Sequence, residues 1–213
     1  MKPIVYDRET PFQMDAFAVD WDAALVTREP IVLESEPFLA ALARFTNFDP
    51  PSGALIAERV VLAPQPPLDR ALAHAHVHAA IHRELAARLI GRTALGHVFA
   101  SREPDVPGLE ARALAAAFDW IDPFLVEGKL AQTLYRYGLY ESFYQHHDAA
   151  EARDLARGFL ARVAPSPLES LVALHTHGAY SAWFDEHSCS DNTFLIIDRA
   201  MRSGVLLVLS HSD

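Results

Sequence analysis

Along most of this chain the apolar positions sit among good helix formers, and near the C-terminus they close up into continuous runs. Leu68 to Ile90, LDRALAHAHVHAAIHRELAARLI, is rich in Ala, Leu, Arg and Glu, and Gly91 follows as a natural C-cap, so the stretch predicts one long helix. Leu114, Ala117, Phe118 and Ile121 fall at helical spacing and predict a helix over 109–121 that stops at Asp122-Pro123. Pro37 suits the first turn of a helix continuing FLAALARFTNF, and Asp148 suits the N-cap of a helix over 149–163 that ends before Pro165-Ser166-Pro167. Two segments read either way. Residues 54–63 are β-branched enough for a short strand or form a helical turn, and 124–145 combine dense aromatics with Gly128 and Gly138.

The last fifty residues carry a different pattern. Leu171–Leu174 reads as a strand, and Val205–Leu209 is the fully apolar run of a buried one. Between them, TFLIIDRAM is either a helix capped by Asp191 or a strand forming a hairpin with VLLVL. The expected fold class is therefore α+β, predominantly helical, with a small C-terminal β-containing module. A mainly helical region (1–164) and the C-terminal module (165–213) would form one compact domain, because no Gly/Ser-rich linker separates them.

Composition narrows the function classes. A hydrophobic fraction of 51% over 213 residues supports a substantial core. The formal net charge of -10, with 18 Lys plus Arg and no basic cluster, argues against a nucleic-acid or anionic-membrane surface and suits a protein or peptide partner. One cysteine cannot form an internal disulfide, and no secretory signal or apolar run of spanning length is visible, so a cytoplasmic setting is expected.

The densest chemistry lies in LHTHGAYSAWFDEHSCSDNTF, Leu174 to Phe194, with His175, His177, His187, Asp185, Glu186, Asp191 and Cys189. On a strand, His175 and His177 project from one face. Two imidazoles and a returning acid make a three-ligand shell that leaves zinc a fourth position for water, whose pKa the metal lowers toward neutrality. His175-Thr176-His177, followed after ten residues by Ser188-Cys189-Ser190-Asp191, resembles the JAMM (MPN+) metallopeptidase motif, H-x-H on a strand and S-x-x-D at a helix start. HTHGAYS is similar to a bacterial branch with Gly after the second His. The resemblance implies zinc on His175, His177 and Asp191, Ser188 helping to hold the substrate oxyanion, and an upstream glutamate as general base, with Glu127 at a suitable distance. It also implies a zinc-dependent hydrolase of amide or isopeptide bonds, and needs residues 192–202 to be helical.

Other clusters have plainer readings. On one helix, His74, His78 and His82 line a face, either as a mildly polar surface or as a chelating pair. His146-His147-Asp148 reads as a capping turn with exposed imidazoles, and Cys189 beside His187 as a conceivable nucleophile pair for which the sequence names no orienting partner. Tyr135, Tyr137, Tyr140, Phe143 and Tyr144, with Trp120 upstream, line a core, a pocket or an interface. The alternative to the hydrolase is a non-enzymatic acidic binding protein, of inhibitor or immunity type, acting through a protein-protein interface. The two part at 192–202, helix for the first and hairpin for the second.

Overall fold

The computed structural model describes residues 18–45, 53–74, 79–90, 118–136, 143–177 and 191–211. In chain order these hold β1 (Leu25–Pro30), α1 (Pro37–Phe45), β2 (Gly53–Leu62), α2 (Pro66–His74), α3 (Ala79–Ile90), β3 (Asp119–Ile121), α4 (Pro123–Arg136), α5 (Phe143–His146), α6 (Ala149–Val163), β4 (Leu171–Thr176), β5 (Asn192–Asp198) and β6 (Ser203–His211). The strands form one six-stranded sheet in the order β1-β2-β6-β5-β4-β3, and every neighbouring pair is antiparallel.

This corrects the expected fold class. The β structure is not a small C-terminal module on a predominantly helical body, because β1, β2 and β3 come from the first 121 residues and join β4, β5 and β6 in the same sheet. The physical reason lies in β2 and β3. The ten-residue β2 carries Glu58-Arg59 in mid-strand, which hides its alternation, and it is fixed by nine pairings with β6 about 150 residues away in sequence. The three-residue β3, Asp-Trp-Ile, falls where helical spacing extends to Ile121, and pairing with Ala173–His175 of β4 overrides it. Of the stretch expected as a long helix over 68–90, the described residues hold α2 up to His74 and α3 from Ala79, and 75–78 lie outside them.

Side-chain alternation gives the sheet two buried faces. Val172, Leu174, Leu195, Ile197, Leu206 and Val208 pack with α2 and α3 through Leu68, Leu72, Leu85 and Leu89. Leu171, Ala173, Phe194, Ile196, Val205 and Leu207 face the other way, onto α1, α4 and α6 through Phe38, Leu130, Leu134 and Phe159. Helices cover both faces, so β5 is buried at all seven positions and reads in sequence as a continuous run rather than an alternating one.

The helices start where local chemistry predicts. Asp148 accepts from Glu151 N at 2.8 Å and caps α6. Glu36, buried before α1, accepts from Phe38 N at 2.9 Å and Leu39 N at 3.2 Å, and also binds Arg162 of α6. One carboxylate therefore both caps α1 and ties it to α6. The fully buried Asp198 organises the turn from β5 to β6, accepting from Ala200 N at 3.0 Å and Met201 N at 3.1 Å on one oxygen and from Ser166 N at 2.9 Å on the other. Arg202, at φ 51°, completes that turn. Gly204 opens β6 against β5, where a Cβ would lie 2.3 Å from the Ile196 carbonyl oxygen, so only glycine fits. Residues 192–198 thus form the hairpin with β6, not the helix. Among the described residues no helix is long and apolar enough to cross a membrane.

Candidate functional site

Four apolar residues carry β4 through the core, and His175 follows them at the end of the strand. By alternation it shares the α1/α4/α6 face with Leu171 and Ala173. It stands in register between Asp119 of β3 and Phe194 of β5. Its ring lies 4.4 Å from that of Phe194 and only 7% of the residue is exposed. The Nε2–H of His175 donates to Asn192 Oδ1 at 3.0 Å, which leaves Nδ1 with the ring's lone pair. The His177 ring meets it edge-on with centroids 4.2 Å apart, at the exposed end of the pair.

Burial is the largest influence on His175 and pushes its pKa down from 6.5 to about 4. The hydrogen bond that His175 donates to Asn192 opposes this, His177 and Lys129 add to it, and Asp119 opposes it weakly. His175 is therefore a neutral imidazole at pH 7, held in one tautomer and one orientation.

The structure brings together His175 and His177. Asp191 is buried one residue before β5. Asn192, on the histidines' side, takes the position next to His175 instead. Glu127, the expected base, lies on α4 and accepts from Arg153 and from Arg157, with Arg157 Nε at 3.1 Å. The hydrogen bond from Arg157 is the chief cause of its lowered pKa, against an opposing effect of burial. It joins α4 to α6 as a structural anion. Ser188, His187 and Cys189 lie outside the described residues. Among the described residues no three His, Cys, Asp or Glu side chains come together as a metal-ligand set. Among the described residues the donors at this place are two imidazoles, with one nitrogen of His175 already given to an amide.

No family model matches the chain, and no curated relative matches it. Two solved structures resemble it weakly. A crystal structure of citrus MAF1 in space group C 2 2 21 aligns with a TM-score of 0.42 at 13% identity, covering 81% of this chain and 98% of that one. A second crystal form, P 31 2 1, gives 0.37 at 13% identity, covering 81% and 97%.

The other sequence clusters resolve into local structure. His74 Nδ1 contacts Arg70 O at 2.7 Å at the end of α2, and His78 lies outside the described residues, as does the side chain of His82. His147 contacts Glu151 at 2.7 Å and stacks on Phe143, next to the Asp148 cap. Tyr135 and Tyr144 lie 6.0 Å apart, and Phe143 is buried, while Tyr137 and Tyr140 lie outside the described residues. Sequence reasoning missed Asn192 as the partner of His175. The signal was its place two residues before Phe194, which has meaning only once the β4–β5 register is known.

Proposed function

We propose that the chain is a non-enzymatic acidic binding protein that engages a basic protein partner. The observation that carries this reading is a pair of large apolar side chains, Phe124 and Leu125, which stand 75% and 58% exposed at the start of α4. Their backbone is tied at the start of the helix: Phe124 N donates to Asp122 Oδ1 at 3.0 Å and Leu125 N to Asp122 O at 2.7 Å. Asp119 and Asp122 precede them, on a chain of net charge -10. An apolar anchor pair with acids beside it suits a partner surface with an apolar pocket rimmed by Lys or Arg. Covering each side chain would stabilise the complex by about 1.5–3 kcal/mol before ordering costs. The hairpin of β5 with β6 supports the same reading. A cytoplasmic setting belongs to the same proposal.

The test compares wild type with Phe124→Ser/Leu125→Ser as bait at matched stability. A basic protein retained by wild type, lost by the double variant and released by salt is the expected result. Equal retention by both baits would refute the assignment.

One observation favours the zinc hydrolase as a second reading, the meeting of the His175 and His177 rings. It requires Asp191, or another ligand, to reach their side of the sheet. Metal content of tag-free protein purified without nickel tests it. About one zinc per chain, lost in His175→Ala/His177→Ala, would revive the hydrolase, and no zinc after reconstitution would end it.

A further inference from the structure

Beside β3 the sheet has a gap. β3 pairs with β4 only from Asp119 to Ile121, opposite His175 to Ala173, and then Asp122-Pro123 carries the chain away into α4. Among the described residues Val172 and Leu171 therefore have β5 on one side and no strand on the other. A cavity of about 200 Å³ opens there, lined by Leu72, Trp120, Pro123, Leu171 and Val172, with Glu169 and Arg199 as its charged members. It is smaller than the roughly 300–1,000 Å³ of a site for a drug-sized ligand, and suits one side-chain-sized apolar group.

Arg199 is the notable wall. Arg153, Arg157, Arg162 and Arg202 each lie against a carboxylate. Arg199 instead donates through Nε to Ser170 O at 3.3 Å and through Nη2 to Glu169 O, both backbone carbonyls. Its own N–H also donates to Ser170 O at 2.9 Å. The guanidinium is thus fixed in place and partly buried, yet its charge meets no carboxylate among the described residues, and Nη1 has no acceptor there. Two carbonyls orient it without neutralising it, which is what a preformed carboxylate receptor needs. Glu169 supplies the opposite charge on the same cavity.

We infer that this cavity binds a free α-amino acid with a large apolar side chain. The ligand's carboxylate sits on Arg199, its ammonium faces Glu169, and its side chain enters the space between Trp120, Leu72 and Val172. Either charge alone would leave one wall unmatched, and a zwitterion matches both. The inference goes beyond the partner surface at Phe124 and Leu125, which can stand or fall without it.

Calorimetry on the full chain with L-leucine and L-phenylalanine tests it. Saturable binding is expected, weakened about tenfold or more by blocking either charge, in N-acetyl-L-leucine and in L-leucinamide. Arg199→Gln and Glu169→Gln should each weaken leucine by a similar factor. Arg199 also ties down residues 169–170, so its loss can disturb the fold; the exposed Glu169→Gln and the two ligand analogues decide the matter on folded protein. No saturable heat up to about 10 mM of either amino acid, or equal binding of leucine and its blocked analogues, would overturn the inference.

Discussion

His175 should make this protein acid-sensitive in a way that one substitution can isolate. Its pKa falls from 6.5 in the unfolded chain to about 4 in the fold, chiefly through burial. Between those values the unfolded state binds the proton and the native state does not, so stability rises with pH across the window. The contribution is complete above pH 6.5 and is lost as the pH falls toward 4. The full difference corresponds to about 3.4 kcal/mol, of which roughly 3 kcal/mol is expressed between pH 7 and pH 4, where the native imidazole is half protonated. The perturbation is His175→Gln, which keeps a polar group for Asn192 and removes the titration. Urea unfolding of both proteins at half-unit pH steps gives the stability difference, with His177 and the carboxylates common to the two. Wild type should lose roughly 3 kcal/mol relative to the variant from pH 7 to pH 4. A difference that stays flat within about 0.5 kcal/mol would refute the claim that burial holds His175 neutral.

Three further substitutions test the fold by urea or thermal unfolding. Asp148→Ala removes the N-cap of α6 and should cost about 1 kcal/mol; no change would mean that the bond to Glu151 N is not formed in solution. Gly204→Ala drives a Cβ against the Ile196 carbonyl and should cost about 1–3 kcal/mol or prevent folding, whereas neutral behaviour would contradict the close approach of β5 and β6. Glu36→Ala loses two capping bonds and leaves Arg162 without its anion, so a loss of about 2–3 kcal/mol is expected, and Glu36→Gln should recover part of it.

Legibility in the sequence followed locality. The α6 cap at Asp148, the start of α1 at Pro37 and the strands β4 and β6 rest on residues within a few positions of one another, and all were readable. β3 was not, because three residues have no period of their own and take their conformation from β4. TFLIID was ambiguous because a strand buried on both faces loses its alternation, and Asp191 before it mimics a helix cap. The same ambiguity governed the site. H-x-H correctly placed His175 and His177 on one side, since that needs only strand periodicity. Which later residue stands beside them depends on register, and a shift of one position exchanges Asp191 for Asn192, a ligand-type anion for a neutral amide.

The pairing of β2 with β6 also sets a timetable for synthesis. Residues 53–62 leave the ribosome long before residues 203–211, and at about 5–20 residues per second the interval is on the order of ten seconds. Throughout it β2 can pair with β1 alone, and its other edge, with Leu55, Ile56 and Val60, has no mate. The nascent chain therefore carries an open, apolar strand edge that only its own C-terminal hairpin can close, which makes β2 the segment a chaperone would be expected to shield and β6 the strand whose arrival commits the sheet.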